Sequence, residues 1–414
     1  MKVHPSKKKG LSPLLIAQFM GAANDNILKA LLGFAVVKGG MWAGSLGQGG
    51  QGLIALCLFI PFVLFSGWAG PLADRYSKRT ISVFMKWVEV PLAIAAGLGF
   101  ATNNFWFAGV AMFLLATQST FFSPAKYGMI PEIVPEHNIA RANGILNMTT
   151  NIAIIAGMLA AGILSDQLKL GDIQSKRLPG IVLYLVATIG LLAIICLPKL
   201  ASMNPKIKLP KNPFSTYIKT GGEMCKTALM KVSIAWAFFY LLATVVLLLI
   251  NELGPLLQVS DSMVSYLLAS VGVSVGFGSL MAGFISRGIV RLPLSKYASL
   301  GMAISVLYAG IAPVSYGNIM AALIALGFTA GLYAIPLQTL IQTLPESGNR
   351  GQVLATSNAI SFLFMAVGSL LYWALRPLFG DSPQYIFVVC ALVGVLAWGV
   401  TMRIHLPDES NDTI

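Results

Sequence analysis

The chain has 414 residues, of which 56% are hydrophobic and only 10% are charged. Soluble domains usually carry about 25% charged residues, so this composition excludes an ordinary water-soluble protein and indicates a membrane protein. The formal charge of +13 fits either nucleic-acid binding or basic cytoplasmic loops, and the positions of the lysines and arginines described below favour the loops over a nucleic-acid partner.

A helix that crosses the hydrocarbon layer needs about 20 mostly apolar residues. We predict an all-α membrane protein with twelve such spans, over residues 11–37, 51–73, 80–101, 105–124, 141–165, 179–198, 231–252, 262–286, 293–313, 317–341, 353–376 and 383–404. The first span follows a basic N-terminus, as in a signal peptide. Its apolar stretch is too long for a signal peptide and has no small-x-small cleavage site, so we interpret it as a membrane helix.

Span one carries polar residues on one helical face, because Gln18, Asp25 and Lys29 are separated by seven and four residues. Charged residues within a span are costly and by default mark a transport pathway. We therefore expect Asp25, near the middle of the span, to line a central cavity, where pairing with Lys29 would offset the burial of both. The alternative for Lys29 is that its side chain reaches the membrane interface and has no role in transport.

The loop between spans two and three contains Gly70, Asp74, Arg75, Lys78 and Arg79. It resembles the loop signature of the major facilitator superfamily, although Ser77 replaces the second glycine and one residue is missing. The resemblance implies a two-half fold with alternating access. It also implies a gating role for Asp74, Arg75 and Arg79 on the cytoplasmic side. The alternative is a basic loop that only orients the chain.

In span three, Lys86 and Glu89 are three residues apart and are placed to pair on one helical face. We predict that both line the cavity. The alternative is that Lys86, like Lys29, extends to an interface.

The end of span four and span five carry the most specific pattern, with Ser123-Pro-Ala-Lys126-Tyr-Gly128 followed by Ala142-Asn-Gly144. It resembles the bacterial lysophospholipid transporter family, and Asp25-Asn26 in span one is similar to an Asp-Asn pair of that family. The resemblance implies transport of lysophospholipids to the inner leaflet. Lys126 is then a candidate to attract the phosphate, or else a lysine that only orients the chain. Some family members carry a fused acyltransferase, which this chain lacks, so a separate cytoplasmic acyltransferase is an expected partner.

Asn143, Asn147 and Asn151 recur every four residues along span five. Such a stripe lines a water-filled path or joins helices, and we include Asn147 among the cavity candidates. Stripes of small residues on span five (Ala153, Gly157, Ala161) and on span eight (Ser270, Ser274, Gly278, Ala282, Ser286) indicate faces for close packing and sliding.

The basic residues are distributed unevenly between the two sides of the membrane. Alternate loops and termini hold 21 of the 28 lysines and arginines, the remaining loops hold 5, and Lys29 and Lys86 lie within spans. The excess predicts cytoplasmic N- and C-termini, and the resemblance to the bacterial lysophospholipid transporter family implies location in the bacterial inner membrane. We predict an N-terminal half (1–198), a basic cytoplasmic linker (199–230) with an amphipathic helix within 214–230, and a C-terminal half (231–414).

Signals for other functions are weak. Gly272-Val-Ser274-Val-Gly276 matches a hydrolase pattern but lies inside an apolar helix, and Gly47 to Gly52 matches a dinucleotide pattern without a preceding strand. The cysteines lack metal-ligand spacing, so we expect no metal site. No GxxxxGK(S/T) phosphate-binding loop occurs, so we expect no ATP hydrolysis to drive transport. A catalytic constellation is also missing, so we expect no enzyme activity and no cofactor. We expect a monomer. The remaining alternatives are a transporter of another amphipathic compound (a drug, siderophore or metabolite), a membrane enzyme, or a sensor.

Overall fold

The structure is a computed structural model that describes residues 10–37, 39–134, 139–202, 206, 209–286, 291–345 and 350–405. All regular secondary structure within these ranges is helical. Twelve helices have 17 residues or more. They are α1 (Leu11–Val36), α2 (Gly50–Arg75), α3 (Lys78–Ala101), α4 (Phe105–Ile133), α5 (Ile139–Leu168), α6 (Ile173–Ile195), α8 (Ala228–Asn251), α10 (Asp261–Ser286), α11 (Leu292–Ile311), α12 (Tyr316–Thr343), α13 (Arg350–Leu375) and α14 (Ile386–Met402).

Eleven helices in the described part of the chain are long and apolar enough to cross a membrane. The long helix outside that set is α1, whose hydropathy is lowered by polar residues that include Asp25 and Lys29. All twelve predicted spans therefore correspond to long helices, and the protein is an all-α, multi-pass membrane protein.

Two predicted boundaries were wrong by six residues or more. Span six was expected to begin at residue 179, but α6 begins at Ile173. Span four was expected to end at Pro124, but α4 continues to Ile133. In a membrane helix, neighbouring helices and side chains compensate for the backbone hydrogen bond that a proline removes, so Pro124 does not end the helix.

Two short helices connect the long ones. Helix α7 (Ser215–Met224) occupies the segment that was expected to contain an amphipathic helix, and it packs against α13, where Thr220 Oγ1 lies 3.3 Å from Gln352 Oε1. Helix α9 (Leu253–Leu257) precedes α10.

The chain divides into two compact units. Unit 1 comprises Met1–Pro213 and Ile250–Ala269, and unit 2 comprises Phe214–Leu249 and Ser270–Ile414. The division into two six-helix halves around a linker at 199–230 stays a prediction.

In unit 1, α1 packs against α5, α6 and α4, and α3 packs against α4 and α6. Small residues permit these close approaches. A Cβ atom at Gly157 would lie 2.8 Å from the carbonyl oxygen of Ala23, and one at Gly97 would overlap the backbone of Gly180. The packing role predicted for the small-residue stripe on α5 is thereby confirmed at Gly157.

In unit 2, α11 packs against α12 and α14. The predicted small-residue face on α10 is confirmed as a packing face, because a Cβ atom at Gly278 would overlap the carbonyl group of Phe328 on α12. Ser274 lies against the same helix, with its Cβ atom 2.8 Å from the position that a Cβ would take at Gly327. Sliding along this face remains a prediction.

Candidate substrate site in unit 1

Four charged side chains predicted for the cavity come together inside unit 1. Lys86 Nζ lies 2.5 Å from Glu89 Oε2, and each residue is only 1% exposed. Asp25 and Lys126 lie within electrostatic range of each other and of Lys86. The predicted Lys86–Glu89 pair is confirmed. The alternative that Lys86 extends to an interface is wrong, because its whole side chain is enclosed by protein.

Glycines on neighbouring helices make room for the Lys86 ammonium. A Cβ atom at Gly21 on α1 would overlap Nζ, and one at Gly190 on α6 would lie 3.5 Å from it. The aromatic ring of Phe122 on α4 completes this environment, with its centroid 5.3 Å from Nζ. Thus Lys86, from α3, is fixed where α1, α4 and α6 meet.

Asn24 connects α1 to this ion pair. Its Nδ2 atom donates a hydrogen bond to Glu89 Oε1 at 3.3 Å, and the residue is fully buried. Its Oδ1 atom has no hydrogen-bonding partner among the described residues. Glu89 therefore accepts from both Lys86 and Asn24, while one buried acceptor of Asn24 has no partner among the described residues.

Asp25 is positioned by α4. Its Oδ2 atom accepts a hydrogen bond from Ser119 Oγ at 2.7 Å. Neighbouring Gln118 is 4% exposed, and its Nε2 atom has no partner among the described residues. Ser119 and Gln118 were not among the predicted site residues. Both are polar residues within an apolar span, and this is the signal that could have revealed them.

The expected pairing of Asp25 with Lys29 was wrong. None of the ion pairs in the described part of the chain includes Lys29. The four-residue spacing permits a pair but does not require one, and Asp25 is instead oriented toward Ser119 on α4.

Lys126 differs from Lys86 in its surroundings. Its ammonium lies 4.9 Å from the centroid of the Tyr127 ring and 5.9 Å from that of Phe122. No carboxylate of the described residues lies within ion-pair distance of it. Lys126 is therefore a cation held by aromatic faces, with donors left for an anionic ligand.

The other polar cavity candidates make local or interhelical contacts. Gln18 Nε2 donates to Thr150 Oγ1 on α5 at 2.9 Å. Asn26 Nδ2 donates to the carbonyl oxygen of Ala22, one turn earlier in its own helix. Asn147 is part of α5, but its side chain lies outside the described residues.

The basic segment that joins α2 to α3 is held against α6 through Arg79, the second residue of α3. Its Nε atom donates to the carbonyl oxygen of Leu197 at 2.8 Å, and Nη2 donates to that of Ile195 at 2.9 Å. These carbonyls belong to the C-terminal end of α6, where a cation is electrostatically favoured. Arg75 lies 5.6 Å from the ring centroid of Tyr76, and the Asp74 side chain lies outside the described residues.

Lys78, the first residue of α3, explains the glycine that ends the Ser123–Gly128 pattern. Its Nζ atom forms a 2.8 Å ion pair with Glu132 Oε1 on α4. A Cβ atom at Gly128 would lie 2.6 Å from Lys78 Cε, so glycine makes room for this buried lysine. The pattern thus combines a glycine that accommodates the Lys78–Glu132 ion pair with Lys126, whose place in a cavity stays a prediction.

The fold and its buried charges define a multi-pass membrane transporter. A family model described as Major Facilitator Superfamily matches residues 14–369. The chain belongs to the Major Facilitator Superfamily.

Relatives and solved structures agree with this class. The chain is 25% identical to the lysophospholipid transporter LplT of Photorhabdus laumondii over 367 residues, which cover 86% of each chain. It is 23% identical to the lysophospholipid transporter LplT of Serratia proteamaculans over 361 residues, 86% of this chain and 85% of the relative. The fold is similar to that of a D-xylose-proton symporter (TM-score 0.71, 15% identity, 97% and 99% coverage). It is also similar to that of the human organic anion transporter MFSD10 (TM-score 0.68, 14% identity, 96% and 100% coverage).

Proposed function

We propose that this protein moves lysophospholipids, such as lysophosphatidylethanolamine, from the outer to the inner leaflet of the bacterial inner membrane by alternating access. The observation that carries the proposal is the cluster that buried Lys86 and Glu89 form with half-buried Asp25 and Lys126 beside Phe122. A lysophospholipid head carries both signs of charge or a net negative charge, and its single acyl chain needs an apolar wall. Relatives named as lysophospholipid transporters support the same substrate.

The geometry suggests different roles for the two lysines. Lys86 is already paired with Glu89 at 2.5 Å, so its charge is compensated within the protein. Lys126 is held by aromatic rings and lies within electrostatic range of Asp25. We assign phosphate binding to Lys126, and binding of the head-group ammonium or of a coupling cation to Asp25.

Several further assignments belong to the same proposal. Both termini are cytoplasmic, Asp74, Arg75 and Arg79 act in gating, and the protein works as a monomer without enzymatic activity. A separate acyltransferase consumes the transported lipid. A reporter that is active only in the periplasm, fused after Ile414, tests the orientation and should stay silent.

The test of the function uses purified protein in liposomes with labelled lysophosphatidylethanolamine. Asp25→Asn preserves size and removes the charge, so transport should fall at least about tenfold, since each 1.4 kcal/mol of lost interaction is a factor of ten. The matched control is Asp172→Asn, because Asp172 is exposed and caps the start of α6, where asparagine caps equally well. Transport by the control should equal that of the wild type.

A second variant separates the possible roles of Asp25. If Asp25 only neutralised Lys29, the double variant Asp25→Asn/Lys29→Met would regain transport. Because the two side chains form no ion pair, we expect the double variant to stay inactive. A dependence of the wild-type rate on a sodium or proton gradient would indicate that Asp25 binds a coupling cation.

The competing function is transport of a different amphipathic compound, which the same cluster would also accommodate. A wild-type protein that moves such a compound but no lysolipid would leave the family assignment unchanged and refute the proposed substrate.

A further inference from the structure

A second polar region lies at the end of unit 1 opposite to the basic loop after α2. A cavity of about 260 Å³ opens there between α1, α5, α6 and the loop that precedes α4. Its polar wall is formed by Asn103, Ser165, Lys169 and Lys176. None of the described residues that line it carries a carboxylate, although two of them, Lys169 and Ser165, contact the carboxylate of Asp261.

Asn103 lines this cavity. Its Oδ1 atom accepts a hydrogen bond from Trp42 Nε1 at 2.7 Å, which leaves the amide nitrogen of Asn103 to donate. The ring of Trp42 is fixed by stacking on Phe100, with the ring centroids 4.9 Å apart. The donor is therefore held in place by a buried aromatic contact.

Lys176 supplies a cation. Within the described part of the chain, its ammonium is bonded to no side chain, and no ion pair includes it. The Lys176 ammonium thus brings one positive charge and three N–H donors to the border of the cavity, and no acceptor among the described residues compensates it.

Lys169 lies between this cavity and a neighbouring one of about 320 Å³, which Asp261 also lines. Its Nζ atom is 2.8 Å from Asp261 Oδ2 and 3.9 Å from Asp166 Oδ1. The Lys169 side chain is 41% exposed and that of Asp261 is 7% exposed. Solvent therefore screens the pair from the side of the lysine, whereas the departure of Lys169 would leave a buried carboxylate that needs another partner.

Asp261 retains other partners when Lys169 leaves it. Ser165 Oγ donates to Asp261 Oδ2 at 2.7 Å. The Asp166 carboxylate accepts the backbone N–H groups of Asp261 and Ser262, each at 3.0 Å, and so caps the start of α10. Departure of Lys169 therefore leaves the capped end of α10 intact.

We propose that this cavity binds the phosphate ester of a lysolipid head group, with Lys176 and Asn103 as donors and Lys169 exchanging Asp261 for the phosphate. The inference rests on the proposed function. Pockets for drug-sized ligands span about 300–1,000 Å³, so a cavity of about 260 Å³ accommodates a head group and excludes the acyl chain. The site is distinct from the cluster around Asp25 and lies on the side from which the substrate is proposed to come.

The test measures binding of radiolabelled glycerophosphoethanolamine, a head group without acyl chains, to the purified full-length protein in detergent by equilibrium dialysis. Lys176→Gln should weaken binding about tenfold, the loss expected for one charge-assisted hydrogen bond. Asp261→Asn should strengthen binding about two- to fivefold, because it removes the carboxylate that competes for Lys169. The matched control, Arg177→Gln, removes a neighbouring exposed charge that does not line the cavity and should leave binding unchanged.

Equal binding by the wild type and Lys176→Gln, or weaker binding by Asp261→Asn, would overturn the proposal. Unlabelled inorganic phosphate is the competing probe. If it displaces the label as well as unlabelled glycerophosphoethanolamine does, the cavity is a free-phosphate site and the head-group assignment is wrong.

Lysolipid transport in liposomes, measured on the same proteins, separates this inference from the proposed function. Head-group binding that depends on Lys176, in a protein that moves no lysolipid, supports the cavity site and refutes the transport function. Lysolipid transport by a protein that binds no head group refutes the cavity site alone.

Discussion

Removing the Lys86 ammonium should destabilise the protein severely. Lys86→Met keeps most of the side-chain length but leaves the Glu89 carboxylate, 1% exposed, with only the 3.3 Å hydrogen bond from Asn24. Removing one member of a buried ion pair costs about 3–5 kcal/mol, because the other charge remains uncompensated. Burial excludes solvent screening at this position, so we expect the free energy of unfolding to fall by an amount in that range.

The double variant Lys86→Met/Glu89→Leu distinguishes this mechanism from a general packing defect. Replacing both members of a buried pair by apolar residues is often neutral or stabilising, so the double variant should recover most of the lost stability. Lys226→Met is the control, since Lys226 is exposed and its replacement should change stability by less than about 0.5 kcal/mol.

The assay is equilibrium unfolding in mixed detergent, followed by tryptophan fluorescence. It is applied to the wild type, Lys86→Met, Glu89→Leu and the double variant. The double-mutant cycle should give a coupling of about 3 kcal/mol between residues 86 and 89. Additive effects of the two single changes, or a double variant less stable than Lys86→Met, would refute the ion pair as the reason for the burial of Lys86.

Gly97→Ala and Glu132→Gln test the packing of unit 1. Gly97→Ala places a Cβ atom against the backbone of Gly180 and should lower stability by about 1–3 kcal/mol. The control, Gly109→Ala, meets only the edge of an aromatic ring at 3.9 Å and should be neutral or stabilising. Equal melting temperatures for Gly97→Ala and Gly109→Ala would contradict the close crossing of α3 and α6. Glu132→Gln removes the carboxylate that lies 2.8 Å from the buried Lys78 and should lower stability by about 1–3 kcal/mol, and an unchanged unfolding midpoint in the same detergent would show that the pair contributes nothing.

The features that were predicted correctly are local in the chain. Long apolar stretches specify membrane helices, because a spanning helix must satisfy its backbone hydrogen bonds internally whatever its neighbours are. The pairing of Lys86 with Glu89 followed from a three-residue spacing on one helix. The same rule failed for Asp25 and Lys29, because spacing along a helix shows which side chains are near each other and not which partner from another helix competes for them.

The contacts that were missed join residues far apart in the chain. Ser119 lies 94 residues from Asp25, and Arg79 donates to carbonyl groups 116 and 118 residues away. The resemblance to a loop signature drew attention to Arg79 but suggested only gating. Its observed contacts show an additional structural role at the end of α6, which depends on how α3 packs against α6 and cannot be inferred from the loop itself.

The hydrogen-bond acceptor at the start of α10 could not be predicted from one sequence. Helix geometry alone requires acceptors for the first backbone N–H groups of a buried helix, so a partner for residues 261 and 262 was to be expected. The acceptor is Asp166, 95 residues earlier at the end of α5. The spacing of residues along α10 contains no information about that partner. A single sequence therefore specifies that a buried polar group needs a hydrogen-bonding partner, whereas the tertiary packing decides which residue is that partner. The same packing brings Lys169 to Asp261 and so decides where a lysine can exchange one anion for another.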